Sequence, residues 1–191
     1  MNHLDDIIDI VNNCSTGETL SPNHMIGSKF QRERIKRICE LTLKLYKGDI
    51  LEIGCHEGST TIILCELARK YKRRVLAIDP WNGSQQGDES VYKRFVERTK
   101  KYTDVLSVYR NKSQDDTVRE LVDSSNICFS FVDGLHTYAA CKVDIELCKN
   151  NSGTMCVDDL SWMKELRDLF DESPFDKYHN PVCREGYYVV P

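Results

Sequence analysis

The chain has 191 residues, 29% charged and 40% apolar, the balance of one globular domain and too short for two ordinary ones. With 26 basic and 30 acidic residues the formal net charge is −4, which argues against a surface built to grip nucleic acid or an anionic membrane. Mean hydropathy is −0.47, and the longest run without a charge, Thr19 to Ser28, falls well short of the roughly 20 apolar residues of a membrane-spanning helix. The opening MNHLDDIIDI carries acids where an export signal carries bases. Nine cysteines without a CxxC pair, several inside apolar runs, read as buried free thiols rather than a disulfide or zinc framework. A reducing, cytoplasmic setting is expected.

In chain order, residues 1–47 read as a helical cover and 48–191 as an α/β core, together one domain. SKFQRERIKRICELTLKLY (28–46) has the period of an amphipathic helix with Phe30, Ile35, Ile38, Leu41 and Leu45 near one face. From Gly48, strand-like runs at 49–54, 74–79, 105–110, 127–133 and 153–159 alternate with helical segments at 59–71, 90–102, 115–123 and 137–149. Apolar runs that do not alternate indicate strands buried on both faces, as in a parallel sheet with right-handed crossovers. A last helical stretch, 161–170, precedes two short runs flanking Arg184 that could add an antiparallel pair. The predicted fold is a doubly wound, three-layer α/β sandwich with a mostly parallel sheet.

Ligands in such sheets bind beyond the carboxyl ends of the strands. The first such place is LEIGCHEGSTT, Glu52-x-Gly54-x-x-x-Gly58-Ser59, a strand running through two glycines into a helix whose first N–H groups are free for a ligand. A dinucleotide fingerprint would need glycine where His56 stands, which disfavours a nicotinamide oxidoreductase. Two glycines alone would equally suit a turn that binds nothing. The second strand, however, ends at Asp79, 25 residues after Gly54, where a carboxylate can accept from both hydroxyls of a ribose. Turn and acid together favour a nucleoside-type ligand.

The pattern E-x-G-x-x-x-G-S followed by I-D-P-W resembles motif I and the ribose acid of class I S-adenosylmethionine-dependent methyltransferases. That resemblance implies S-adenosylmethionine as cofactor, with Glu52, Gly54, Gly58 and Ser59 around its methionine part, Asp79 on its ribose and Trp81 beside it. Ser113-Gln114-Asp115 is similar to the adenine-side loop of catechol-type O-methyltransferases, which implies Ser113 and Gln114 near the adenine; a serine opening a helix is the plainer alternative.

The fourth strand ends in Asp133-Gly134-Leu135-His136-Thr137-Tyr138 and the fifth in Asp158-Asp159. Neighbouring strands would bring Asp133, Asp158 and Asp159 to one edge of the cleft, and three carboxylates gather only with a cation or protons to relieve them. Oxygen ligands favour a hard divalent ion, Mg2+ before Mn2+ or Ca2+. Such an ion would bind an acceptor hydroxyl, and His136, three residues beyond Asp133, is the nearest candidate for a base that removes its proton. D-G-x-H-x-Y with a terminal D-D resembles the metal-dependent sugar O-methyltransferases of the macrocin and mycinamicin type. Met25-Ile26-Gly27 is similar to a stretch that borders the cofactor pocket in that family, which adds Met25, Ile26, Asp133 and Leu135 to the cofactor contacts. Some of those enzymes carry an aspartate where this chain has Leu135, and catechol-type enzymes a lysine where it has His136, so the base follows from spacing.

These features lead to S-adenosylmethionine-dependent methylation of a hydroxyl on a deoxysugar such as rhamnose. The alternatives are a catechol-type small-molecule O-methyltransferase and a binding domain without chemistry. Trp81, Trp162 and Tyr138 could stack on a pyranose or an aromatic ring alike. Expected partners are a small-molecule or glycan acceptor, with homo-oligomerisation open and neither nucleic acid nor membrane involved; the basic runs 32–37 and 70–74 read as solvated helix faces.

Overall fold

A computed structural model describes residues 2–16, 29–82, 88–151, 153–161 and 163–191. Seven strands form one sheet: β1 (Asp49–Ile53), β2 (Val75–Ile78), β3 (Leu106–Tyr109), β4 (Ile127–Val132), β5 (Gly153–Val157), β6 (Asp176–Tyr178) and β7 (Gly186–Val190), in the order β3-β2-β1-β4-β5-β7-β6. The first five are parallel, and β7 enters antiparallel between β5 and β6, pairing Gly186 with Val157 and Tyr187 with Tyr178. β1, β2, β4 and β5 are buried almost throughout, because helices cover both faces of the sheet. The predicted sandwich and its antiparallel pair are present, and each predicted strand lies within one or two residues of the observed one.

The helices divide between the two faces. α1 (His3–Cys14), α2 (Lys29–Leu45) and α3 (Ser59–Tyr71) pack with Ile50, Val75, Phe129, Phe131 and Tyr187. α5 (Asp116–Asp123), α6 (Tyr138–Cys148) and α7 (Lys164–Glu172) pack with Leu51, Ile53, Leu76, Ile78 and Val157 on the opposite face. α4 (Glu89–Thr99) closes a smaller cluster around Trp81 and Phe95 and runs into a 3-10 turn over Lys100–Tyr102. α1 starts with a capping box, in which the Asn2 side chain accepts from the Asp5 amide and Asp5 accepts from the Asn2 amide.

The buried face of α2 differs from the predicted one. Ile35 and Ile38 are buried, but Leu45 is 55% exposed, and the inward face carries Gln31, Arg34 and Thr42 as well. Arg34 is fully buried: its Nε and Nη2 donate to the two oxygens of Glu185 at 2.5 and 3.2 Å, and the Tyr187 hydroxyl donates to the same carboxylate at 2.9 Å. The predicted solvated face at 32–37 is thus partly core. Three other cations of the two basic runs are met by acids, Arg37 by Glu33, Lys70 by Glu40 and Arg74 by Asp49. All nine cysteines are unbridged, eight of them buried. Among the described residues no helix is long and apolar enough to cross a membrane.

Removing one member of a buried ion pair leaves a charge without water or partner, at a cost of roughly 3–5 kcal/mol. Arg34→Leu should therefore lower the urea midpoint sharply, and adding Glu185→Leu should recover part of the loss. An unchanged midpoint in Arg34→Leu would show that the pair does not hold α2 to β7.

Candidate active site

The β1–α3 turn is shaped by one close contact. Gly54 has φ +85°, and a Cβ there would lie 2.0 Å from the carbonyl oxygen of Asp133, so no other residue fits between the ends of β1 and β4. Gly58, at φ +81°, opens α3 against Phe95 and Thr99. No side chain caps α3, which leaves the N–H groups of its first turn, beginning at the exposed Ser59, without a side-chain acceptor at the N-cap. Asp79 closes the turn from the next strand: one carboxylate oxygen accepts from the amides of Cys55 and His56 at 2.9 Å each, the other from the Trp81 amide at 2.9 Å. Asp79 thus builds the turn, with both carboxylate oxygens bonded to backbone amides.

Glu52, at the end of β1, is fully buried. Thr61 donates to one oxygen at 2.6 Å, and the other has no partner among the described residues. Burial is the main reason its pKa rises to about 8, opposed by the Thr61 bond and reinforced by Asp133 and Asp79. An orphaned carboxylate oxygen beside an uncapped helix start fits a ligand that carries both a cation and an anion.

Trp81 does not face the cleft as a stacking surface. It is 2% exposed, its indole N–H donates to the His56 carbonyl, and its ring packs 4.7 Å from Phe95 and 4.9 Å from Tyr92. Ser113 is buried and accepts from the Gln114 side chain at 2.7 Å; it does not cap α5, which starts after Asp115. Leu135 is 63% exposed and Tyr138 39%. Met25, Ile26 and Trp162 lie outside the described residues. His56, Trp81 and Asp159, at the ends of β1, β2 and β5, all adopt positive φ, so backbone strain collects along the rim that the sequence selects.

At the ends of β4 and β5 the three predicted aspartates do converge, together with residues the sequence did not nominate. His136 lies between two of them, its Nε2 3.2 Å from Asp133 Oδ1 and its Nδ1 2.7 Å from Asp159 Oδ2. Burial disfavours charge on the ring, yet the bonds to Asp133 and Asp159 prevail and raise its pKa to about 10. Both ring nitrogens thus face carboxylates, so His136, expected as the base, sits where its protonated form is favoured. Asp133 keeps a side chain 30% exposed, with burial and Asp159 lifting its pKa against the pull of His136. The Arg184 guanidinium donates to Asp158 at 3.3 Å and, more closely, to Asp159; Gln31 donates to Asp158 at 2.8 Å.

The donor set that could hold an ion therefore differs from the expected one. Asp133, His136 and Asp159 each offer a ligand atom within 4.8 Å of the others, while Asp158 is turned toward Gln31 and Arg184. Arg184, seated on Asp159, sets a positive charge against this same group of ligand atoms. Asp144 on α6 is a further group that was missed: it is 1% exposed, its Oδ2 would lie 2.8 Å from a Cβ on Gly134, and burial lifts its pKa to about 6 against a bond from Ser113. An acid on the otherwise apolar Cys141–Ile145–Cys148 face was its only signal in the sequence.

Residues 51–160 match the family model described as a methyltransferase domain. None of the curated proteins matches the chain. Among solved structures, the chain is similar to the S-adenosylhomocysteine-bound methyltransferase PaMTH1 of Podospora anserina, at 16% identity over 98% of this chain and 88% of that one, TM-score 0.64. It is similar to CalS11, a TDP-rhamnose 3'-O-methyltransferase of calicheamicin biosynthesis, at 12% identity over 97% and 93%, TM-score 0.62. The O-methyltransferase TomG of Streptomyces achromogenes, solved with S-adenosylmethionine, shares 13% identity over 100% and 91%, TM-score 0.63. At these identities the likeness is one of fold.

A carboxyl group whose folded pKa lies above its unfolded value loses stability as pH rises through the interval between them, here from about 4.5 to about 8 for Glu52. Glu52→Gln should therefore match the parent near pH 4 and exceed it by roughly 3–4 kcal/mol at pH 8. Urea unfolding of the ligand-free protein at the two pH values measures this, and equal midpoints at pH 8 would show that Glu52 is not buried as an acid.

Proposed function

Because the chain belongs to the methyltransferase-domain family, we propose that it transfers a methyl group from S-adenosylmethionine to a hydroxyl oxygen of a small molecule, a sugar in preference to a catechol. The observation that supports the reading is the contact between the Gly54 turn and the Asp133 carbonyl, which brings the turn proposed to hold the cofactor against a cluster of acids. Glu52 would take the ammonium of the methionine part, the open first turn of α3 its carboxylate, and Asp79 the ribose hydroxyls. Ser113 and Gln114 would border the adenine, and Met25, Ile26 and Leu135 remain proposed contacts. The bound cofactor supplies an electrophilic methyl on a sulfonium.

The chain's own task is to ready the acceptor oxygen. As the methyl joins it, the O–H proton has to leave, and we assign its acceptance to Asp133. The products are a methyl ether, S-adenosylhomocysteine and a protonated Asp133. His136, its Nε2 3.2 Å from Asp133 Oδ1, would hold that oxygen and leave the other for the acceptor. Asp159 fixes the His136 ring in turn. A carboxyl with a raised pKa suits a proton acceptor near neutral pH better than an unperturbed one. The sugar preference is supported by D-G-L-H-T-Y with D-D and by the likeness in fold to CalS11, whose own acceptor is a TDP-rhamnose. A non-catalytic domain would have no use for the cluster. A reducing cytoplasmic setting accords with the unbridged thiols.

Calorimetry with S-adenosylhomocysteine is the first test, and Asp79→Ala should weaken it tenfold or more, through lost ribose bonds and a loosened turn. Binding of NAD without S-adenosylhomocysteine would end the methyltransferase reading. Once labelled cofactor and a panel of TDP-sugars, glycosides and catechols have identified an acceptor, Asp133→Asn should lose about 10²–10⁴-fold in kcat, the range of general base catalysis. His136→Gln should lose clearly less. The reverse order would return the base to His136.

A further inference from the structure

We infer that Arg184 stands in this site where a divalent cation would otherwise sit, so that the acid cluster is held by protein cations and the chain works without a metal ion. The inference rests on the acceptor-site reading above but concerns what occupies the carboxylates. Every oxygen of the Asp158–Asp159 pair already faces a donor. Asp158 Oδ1 accepts from Gln31 and from the Asp159 amide at 2.8 Å each, and its Oδ2 from Arg184 at 3.3 Å. Asp159 Oδ1 accepts from Arg184, and its Oδ2 lies 2.7 Å from His136 Nδ1. An ion bound through Asp159 would have to share each oxygen with a donor and lie against the positive Arg184 guanidinium, whereas Mg2+ needs near-octahedral oxygen ligands at about 2.0–2.1 Å.

Arg184 is also not a surface side chain that happens to reach in. It is 13% exposed, and it precedes β7, whose Gly186 pairs with Val157 at the end of β5. Its carbonyl accepts from the Ser161 amide at 3.3 Å, so sheet register and loop both fix the backbone beside Asp158 and Asp159. Its neighbour Glu185 is committed separately to Arg34. A planar guanidinium spans two carboxylates in a way a hydrated ammonium does not, which suits this clamp. Arg184 is on this account a positioning residue: it carries the charge that lets Asp159 fix His136, and His136 fix Asp133.

The test is Mn2+ titration of the chelator-treated full chain, read by electron paramagnetic resonance and by thermal shift. The wild type should show no stoichiometric binding below about 1 mM and no rise in Tm, whereas Arg184→Ala and Arg184→Gln should gain one site at least tenfold tighter, lost again when Asp159→Asn is added. Micromolar, stoichiometric Mn2+ binding by the wild type overturns the inference whether or not the variants fold. So does the lack of any gain in variants whose circular dichroism is native. S-adenosylhomocysteine binding by the same wild-type sample separates the two readings: its failure would count against the methyltransferase function and leave the Mn2+ result standing.

Discussion

Three carboxylates brought to adjacent strand ends repel one another, and much of this molecule is arranged around how positive charge reaches them. Parallel pairing of β4 with β5 makes the convergence unavoidable, since Val132 and Val157 are register partners and Asp133 and Asp158 follow directly. The relief comes from three separate places in the chain. His136 arrives on the loop after β4, Arg184 on the connection into β7, and Gln31 from α2. A continuous polar chain, Gln31–Asp158–Arg184–Asp159–His136–Asp133, thereby joins the helical cover to the cleft. The antiparallel insertion of β7 is what delivers its central member.

The same logic explains the core beneath. Arg34 and Glu185 form a second, fully buried pair only one residue away from Arg184 along the chain. Glu185 therefore has a cation of its own, and Arg184 is left to Asp158 and Asp159. β7 is fastened to α2 by the pair and to β5 by the sheet, so the backbone that presents Arg184 has little freedom to withdraw.

The strands were legible because burial on both faces writes an unbroken apolar run, and α3 because its glycines and polar start mark the boundary. The Gly54 turn, Asp79 and the D-G-L-H and D-D strand ends were legible for a related reason: the fold rule says where ligands bind, so only a few positions needed inspection. What could not be read were interactions between distant residues. The inward turn of Gln31 and Arg34 depends on Asp158 and Glu185, 127 and 151 positions away, and periodicity within α2 carries no trace of them. His136 was visible as a residue, but its place between two carboxylates was not, because they come from the ends of different strands. Trp81 was visible as a ring at the rim, while its burial follows from Tyr92 and Phe95 on a helix beyond it.

The absence of a Cβ at Gly54 has an evolutionary consequence. The turn proposed to cradle the cofactor and the strand end bearing Asp133 touch through main-chain atoms, with no side chain between them to be resized. Compensatory substitution, the ordinary route by which packed neighbours drift apart, is closed at this point. Any change in the path of one segment must be matched by a change of backbone in the other, so the two halves of the cleft can be inherited, swapped or redesigned only as a unit. Side-chain variation is open instead at the exposed Leu135 and Tyr138, which lie beyond that junction.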